Sequence, residues 1–212
     1  MKEEKSGDKR AQILAAAEQL FAQKDFDAVS VRELAAAAGV NLAMISYYFG
    51  SKEKLLEALI ETKMQLSFTA IQELERRDAP AMEKILAVAD WQVDRIMQNR
   101  YFQRIIFREM LHNTRPEINS FIIKNIDRNR RLIHQIIQQG IDRKEFRGVD
   151  TDMVLLSFYA TINHLVSACR YSMHLFQKNS EQELFTPDFS ERVKNHLKSL
   201  LKAMLQPTIS SI

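Results

Sequence analysis

Helix-breaking residues are scarce in this sequence: 212 positions hold five glycines and four prolines, where average usage of about 7% and 5% would place roughly 25. A sheet protein with many tight turns needs more of both, so the chain reads as helices with few joints. Its length suits one or two domains with a sizeable buried core. Hydrophobic residues at 46% and charged residues at 27% exclude a disordered or fibrous chain.

The same inventory removes several chemistries. Gly7, Gly39, Gly50, Gly140 and Gly148 show neither Walker A nor GxGxxG spacing, so there is no phosphate loop. His112, His134, His164, His174 and His196 are never four apart, which rules out an HExxH zinc helix. A single cysteine, Cys169, forbids CxxC sites and intramolecular disulfides and fits a reducing compartment. The start, Met1 to Lys5, has no apolar stretch of the signal-peptide kind. The longest uncharged run, 153–169, is too short for a membrane helix and contains Asn163 and His164. No paired carboxylates or nucleophile–base arrangement stands out. The expectation is a cytoplasmic protein that is not an enzyme, with no metal, no cofactor and no membrane partner.

Nearly every glycine and proline falls between stretches of helical periodicity, and about nine helices result. They are placed near 8–24, from Ser30, from Asn41, from Ser51 to about 77, then at 80–98, 100–112, 116–139, 152–177 and 188–205. Ser30 and Glu33 form a capping box, with Val29 and Leu34 at the staple positions around it. Gly39 suits the left-handed end of that second helix. Asn41 caps the third, with Val40 and Ile45 as its staple.

Two short capped helices around a three-residue turn containing glycine have the spacing of a helix-turn-helix. Ala35, four residues before Gly39, keeps the crossing small, and Leu34, Ala38, Val40 and Ile45 supply its apolar packing. Spacing alone leaves two readings open, a DNA-binding motif or a helical hairpin in a bundle. Charge does not decide between them, because residues 1–54 carry eight basic and eight acidic side chains.

Two stretches carry a resemblance. Val31-Arg-Glu-Leu-Ala-Ala-Ala-Ala-Gly-Val40 and Ile45-Ser-Tyr-Tyr-Phe-Gly-Ser-Lys-Glu-Lys-Leu55, with Leu20-Phe21 and Phe26-Asp27 before them, resemble the DNA-binding domain of the tetracycline-repressor (TetR) family. The resemblance covers about 8–64. It implies an all-α fold with a TetR-type helix-turn-helix domain over 6–66 (motif about 30–49) and a helical ligand-binding and dimerisation domain over 67–212. Asp25 stands where the family usually has glycine, which Asp tolerates because it visits left-handed geometry. Ala43, Ser46 and Tyr48 also depart from frequent family residues, so the operator sequence does not carry over.

The function implied is a DNA-binding transcriptional regulator, most simply a repressor released from DNA by a small molecule. An activator or a helical adaptor of the same fold remains the alternative. The helix beginning at Asn41 would enter the major groove. Leu42 and Ala43 suit thymine methyls, with Ser46, Tyr47 and Tyr48 one turn on, while Arg32 and Lys52 would grip phosphates. Two such units in a two-fold homodimer would read a palindrome.

Apolar stripes in the C-terminal helices offer an interface: Val154, Phe158, Ile162, Leu165 and Cys169 on one helix, and Val193, Leu197, Leu200, Leu201 and Met204 on the last. The alternative for these stripes is a core within one chain. In the family a ligand sits among the central helices, where Trp91, Phe102, Phe107, Met110, Phe121 and Phe158 are the candidates. Residues 95–147 carry twelve basic against five acidic side chains. That surplus fits either a solvated helix face or an anionic ligand with an apolar tail.

Overall fold

The computed structural model describes residues 2–207 of the chain. Among them lie eleven α-helices and one 3-10 turn, with no strand among the described residues. The N-terminal elements are α1 (Lys2–Gln23), the 3-10 turn (Phe26–Ala28), α2 (Val31–Ala37), α3 (Leu42–Phe49) and α4 (Lys52–Arg76). Then come α5 (Ala81–Gln98), α6 (Arg100–His112), α7 (Pro116–Asp142), α8 (Thr151–Ser167), α9 (Cys169–Leu175), α10 (Glu181–Leu184) and α11 (Pro187–Leu205).

These helices form two compact units. The first comprises the residues up to 66 together with 104–126, and the second comprises 67–103 together with the residues from 127 on. The two domains expected from sequence, 6–66 and 67–212, are each one continuous stretch. The compact units are not, because 104–126 pack with the N-terminal helices; residue 212 lies outside the described residues. Helices α4, α6 and α7 each contribute to both units.

In the first unit, helix ends are set by short-range chemistry. Ser30 Oγ accepts the Glu33 amide at 3.1 Å, while Glu33 Oε2 accepts the Ser30 amide at 2.8 Å. Val29 and Leu34 are fully buried beside this box, closing the entry to α2 as a hydrophobic staple does. Gly39 takes φ +61°, a backbone that side-chain-bearing residues avoid, and the Val40 amide then reaches the Ala35 carbonyl at 3.0 Å. Asn41 Oδ1 accepts the Ala43 amide at 3.0 Å to start α3. Asp25 differs from expectation: its backbone is extended (φ −63°, ψ 145°), not left-handed. Phe21, Phe26, Ile45, Leu55, Leu59 and Ile60 fill this unit's interior.

The second unit is built on α5, α8 and α11, whose apolar faces share one core with Ile71, Ile133, Ile136, Ile137 and Phe146. Two expectations fail here. The helix placed over 152–177 is broken at Ala168 (φ −95°, ψ 43°), which separates α8 from α9. Neither glycine nor proline marks the break. The hydroxyls of Ser157, Thr161 and Ser167 each donate to the carbonyl four residues back, and such back-bonding bends helices. One-turn α10 occupies a segment expected as connector, where Ser180 caps it and Leu184 is fully buried.

Gly140 does not end its helix either. α7 runs on to Asp142, and the Phe146 ring folds back onto Gly140, where a Cβ would collide with it and crowd Ala81. The connector after α7 then caps two helices: Glu145 accepts the Ala81 amide at 2.6 Å, and Arg147 Nε donates to the Met204 carbonyl at 2.7 Å.

Candidate nucleic-acid interface

Helix α3 has one buried side chain, Ile45, which anchors it against the unit's interior. Met44, Tyr48 and Phe49 are half-buried beside it, and the remaining face of the helix points outward. Asn41, Leu42, Ala43 and Ser46 are exposed, as is Arg32 on α2. Tyr47 is 81% exposed, and its ring meets that of Tyr48 edge-on at 5.1 Å. Tyr48 is half-buried. Seven of the eight residues expected to face DNA therefore lie on one short segment pair, and they leave a large aromatic ring in solvent.

The eighth is Lys52. Its ammonium donates to the carbonyls of Phe26 and Val29, both at 2.9 Å, and lies 4.3 Å from the Phe26 ring centre. Two of its three hydrogens are thus committed to the turn that joins α1 to α2. On the same ring, the Arg115 guanidinium lies 4.1 Å from the centre, so two cations flank Phe26. Arg115 also approaches Asp27 at 3.3 Å and Glu109 at 3.6 Å.

Arg108 completes this arrangement from α6, donating to the carbonyls of Phe21 (3.0 Å), Lys24 (2.7 Å) and Ala22 (3.3 Å) at the end of α1. Sequence reading passed over both arginines. The basic surplus of 95–147 pointed to the region, but their partners lie about ninety positions away.

Three carboxyls of this unit are shifted from their ordinary values. The Lys24 ammonium hydrogen-bonded at 2.8 Å, with help from Ser30, holds the Glu33 carboxyl down to about 2. Glu53, in the first turn of α4, is lowered by its own amide and by Ser51. Burial pushes the Glu109 carboxyl up, against the pull of Arg115.

The other candidate residues fall elsewhere. Of the proposed ligand-lining set, Trp91, Phe102 and Phe158 belong to the second unit, whereas Phe107, Met110 and Phe121 belong to the first. Phe102 and Phe158 are core, Trp91 and Phe121 are half-buried, and Phe107 and Met110 are exposed.

The proposed dimer stripes lie largely inside the chain. Val154, Phe158, Ile162, Cys169, Val193, Leu197 and Leu201 are buried in the chain's own core, with Leu165, Leu200 and Met204 packed against it. A second stripe of α8, Leu155, Tyr159 and Val166, also packs into or against this core. The outward stripe is a third one, Met153, Leu156, Ala160, His164 and Ser167, continued by Tyr171 and Leu175 on α9. No helix among the described residues is long and apolar enough to cross a membrane.

Comparison with known proteins agrees with this architecture. Residues 13–59 match the family model for bacterial regulatory proteins of the tetR family, and residues 78–167 match that for the tetracyclin repressor-like C-terminal domain. A Bacillus subtilis protein, YttP, described as a probable HTH-type transcriptional regulator, is 23% identical over 90% of this chain and 92% of its own. Among solved structures, B. subtilis FadR, a transcriptional regulator in complex with stearoyl-CoA, superposes with a TM-score of 0.71 at 21% identity, covering 90% of this chain and 96% of that one. The ketosteroid transcriptional regulator KstR2 of Mycobacterium tuberculosis gives 0.70 at 19%, covering 93% and 95%. With its capped helix-turn-helix followed by a helical C-terminal unit, the chain belongs to the TetR family of DNA-binding transcriptional regulators.

Proposed function

We propose that this protein is a homodimeric repressor that grips a palindromic operator with α3 and leaves it when a small apolar molecule occupies the second unit. The observation that carries the DNA contact is Tyr47. Its ring, 81% exposed beside exposed Leu42 on a short, doubly capped helix, touches only the edge of Tyr48 among the rings, and it gains a partner when the helix lies in a major groove. Leu42 and Ala43 then meet base edges or thymine methyls, Ser46 and Tyr47 read bases or phosphates, and Arg32 grips the backbone. Lys52 serves to fix the turn before α2, through the carbonyls of Phe26 and Val29.

The homodimer is supported by the bare α8–α9 stripe around Leu156, and the cytoplasm is where such a protein meets DNA. The ligand class is supported by two relatives of the same fold, one bound to stearoyl-CoA and one named for ketosteroids. Stearoyl-CoA carries a long apolar chain and a ketosteroid an apolar ring system.

Selection of the purified protein from a random duplex library at moderate salt tests the proposal. The expected result is an enriched palindrome whose half-sites are about one helical turn apart, with Tyr47→Ala losing at least tenfold in affinity while melting at the wild-type temperature. Absence of enrichment, or a Tyr47→Ala variant that binds normally, would favour a helical adaptor instead.

A further inference from the structure

In the second unit, α5 and α8 hold an arginine with no acid to balance it. The acids beside it on α5 are committed to α11: Asp90 pairs with Lys198 at 3.0 Å and Asp94 with Lys194 at 2.8 Å. The Arg95 side chain makes one hydrogen bond, from Nε to Gln92 Oε1 at 3.0 Å, and its guanidinium lies 5.6 Å from the Trp91 ring centre. Among the described residues no carboxylate lies within ion-pair distance of it. Arg95 is half-buried, burial pulls its guanidinium down from its ordinary value, and a partly desolvated cation without a counter-charge carries a cost.

Its neighbours supply a second donor. Gln92 is 1% exposed, and both ends of its amide are used: Oε1 accepts from Arg95, and Nε2 donates to the Tyr159 hydroxyl oxygen at 2.6 Å. That bond leaves the Tyr159 proton with no acceptor of its own, and burial raises this hydroxyl to about 12, so it stays a donor at physiological pH. Gln92 therefore presents two donors together, the outer edge of a guanidinium and a phenol O–H. Apolar walls adjoin them. Trp91 stands beside the guanidinium, and the Phe158 ring meets that of Tyr159 edge-on at 5.1 Å.

We infer that Arg95 and Tyr159, positioned by Gln92, form the anion-recognition end of an effector site that takes the carboxylate of a small, mostly apolar acid. This rests on the ligand-responsive reading above and narrows it. A planar guanidinium edge matches a carboxylate through two parallel hydrogen bonds, the phenol supplies a third, and the aromatic surfaces accept the apolar remainder.

The test uses the full chain and its single tryptophan, Trp91, as the reporter. Octanoate and octan-1-ol, and 3-phenylpropanoate and 3-phenylpropan-1-ol, are titrated while Trp91 emission is followed. At least one acid is expected to bind ~10–100-fold more tightly than its alcohol, the range for hydrogen bonds to a charged group. Arg95→Gln should bring acid down to alcohol, Arg95→Lys should restore part of the preference, and Tyr159→Phe should weaken the acid several-fold. Arg131→Gln, at an exposed arginine already paired with Asp127, should leave the preference intact. Arg95→Gln should melt no lower than the wild type without ligand, which separates recognition from a structural role.

Equal affinity for acid and alcohol, a preference that survives Arg95→Gln, or no binding by any probe overturns the site. Octanoyl-CoA separates the anion's source: if it binds more tightly than octanoate and that gain is lost in Arg95→Gln, the anion is a carrier's phosphate and the carboxylate assignment is overturned. Operator release is read separately. Acids that bind through Arg95 without releasing DNA uphold the site and remove ligand release. Release by octanol as readily as by octanoate overturns the site and leaves that reading standing.

Discussion

Arg108 Nη1 lies 2.7 Å from the carbonyl oxygen of Lys24, across 84 positions of sequence. The contact follows from how α1 ends. Asp25 is extended, so no left-handed residue turns the chain back to satisfy the helix's last carbonyls. The guanidinium from α6 satisfies them instead. Arg108→Ala should then lower the unfolding free energy by about 1–3 kcal/mol, the cost of stranding such groups, and Arg108→Lys should recover only part of it. Urea unfolding of the three proteins measures this. Operator affinity should fall with stability, because the turn before α2 loses its support.

Glu33 gives the helix-turn-helix a pH dependence with a defined sign. Its folded value of about 2 lies below the ordinary 4.5, so the unfolded chain binds more protons between those limits. The stabilisation is complete above the unfolded value and is lost as pH falls towards 2. Melting curves of Glu33→Gln should accordingly show a deficit at pH 7 that shrinks as pH drops through this window.

Lys52 is expected to act by position. With two hydrogens held by carbonyls, Lys52→Met should lower stability and operator affinity together while leaving the slope of log K against log salt unchanged. Arg32→Gln, at an exposed position, should reduce that slope by about one phosphate contact and leave the melting temperature unaltered.

Gly140→Ala should be destabilising although alanine is the better helix former. The added methyl meets the Phe146 ring and Ala81, an overpacking cost of about 1–3 kcal/mol that exceeds the ~1 kcal/mol gained in propensity. Thermal unfolding of this one variant decides which wins.

Leu156, 60% exposed on α8, should govern assembly without governing folding. Leu156→Glu is expected to shift the sedimentation coefficient to that of a monomer with an unchanged helical signal. Ile162→Ala, in the core, should cost about 2–5 kcal/mol of stability.

The helix-turn-helix was legible because its determinants are local: Ser30 and Glu33 are three apart, Gly39 ends one helix, and Asn41 starts the next. Their meaning does not depend on anything distant. The break at Ala168 was hidden because hydroxyl back-bonding leaves no breaker in the sequence. That the expected dimer stripe lies in the chain's own core was hidden because α8 carries apolar residues on three faces. Periodicity shows that a face is apolar without showing whether α5, α11 or a second molecule covers it. Arg95 was counted among the charges of 95–147, but its isolation from every acid exists only once Asp90 and Asp94 have found their lysines.

Because residues 104–126 pack with the N-terminal helices, the DNA-reading part is not a transferable cassette. A graft cut at residue 66 would carry Ser30, Gly39, Asn41 and Tyr47 intact and still lack Arg108 and Arg115, the two side chains that close α1 and brace Phe26. Hybrid regulators built from this protein would have to import the end of α6 and the start of α7 along with the motif, and chain exchange during its ancestry would have faced the same constraint.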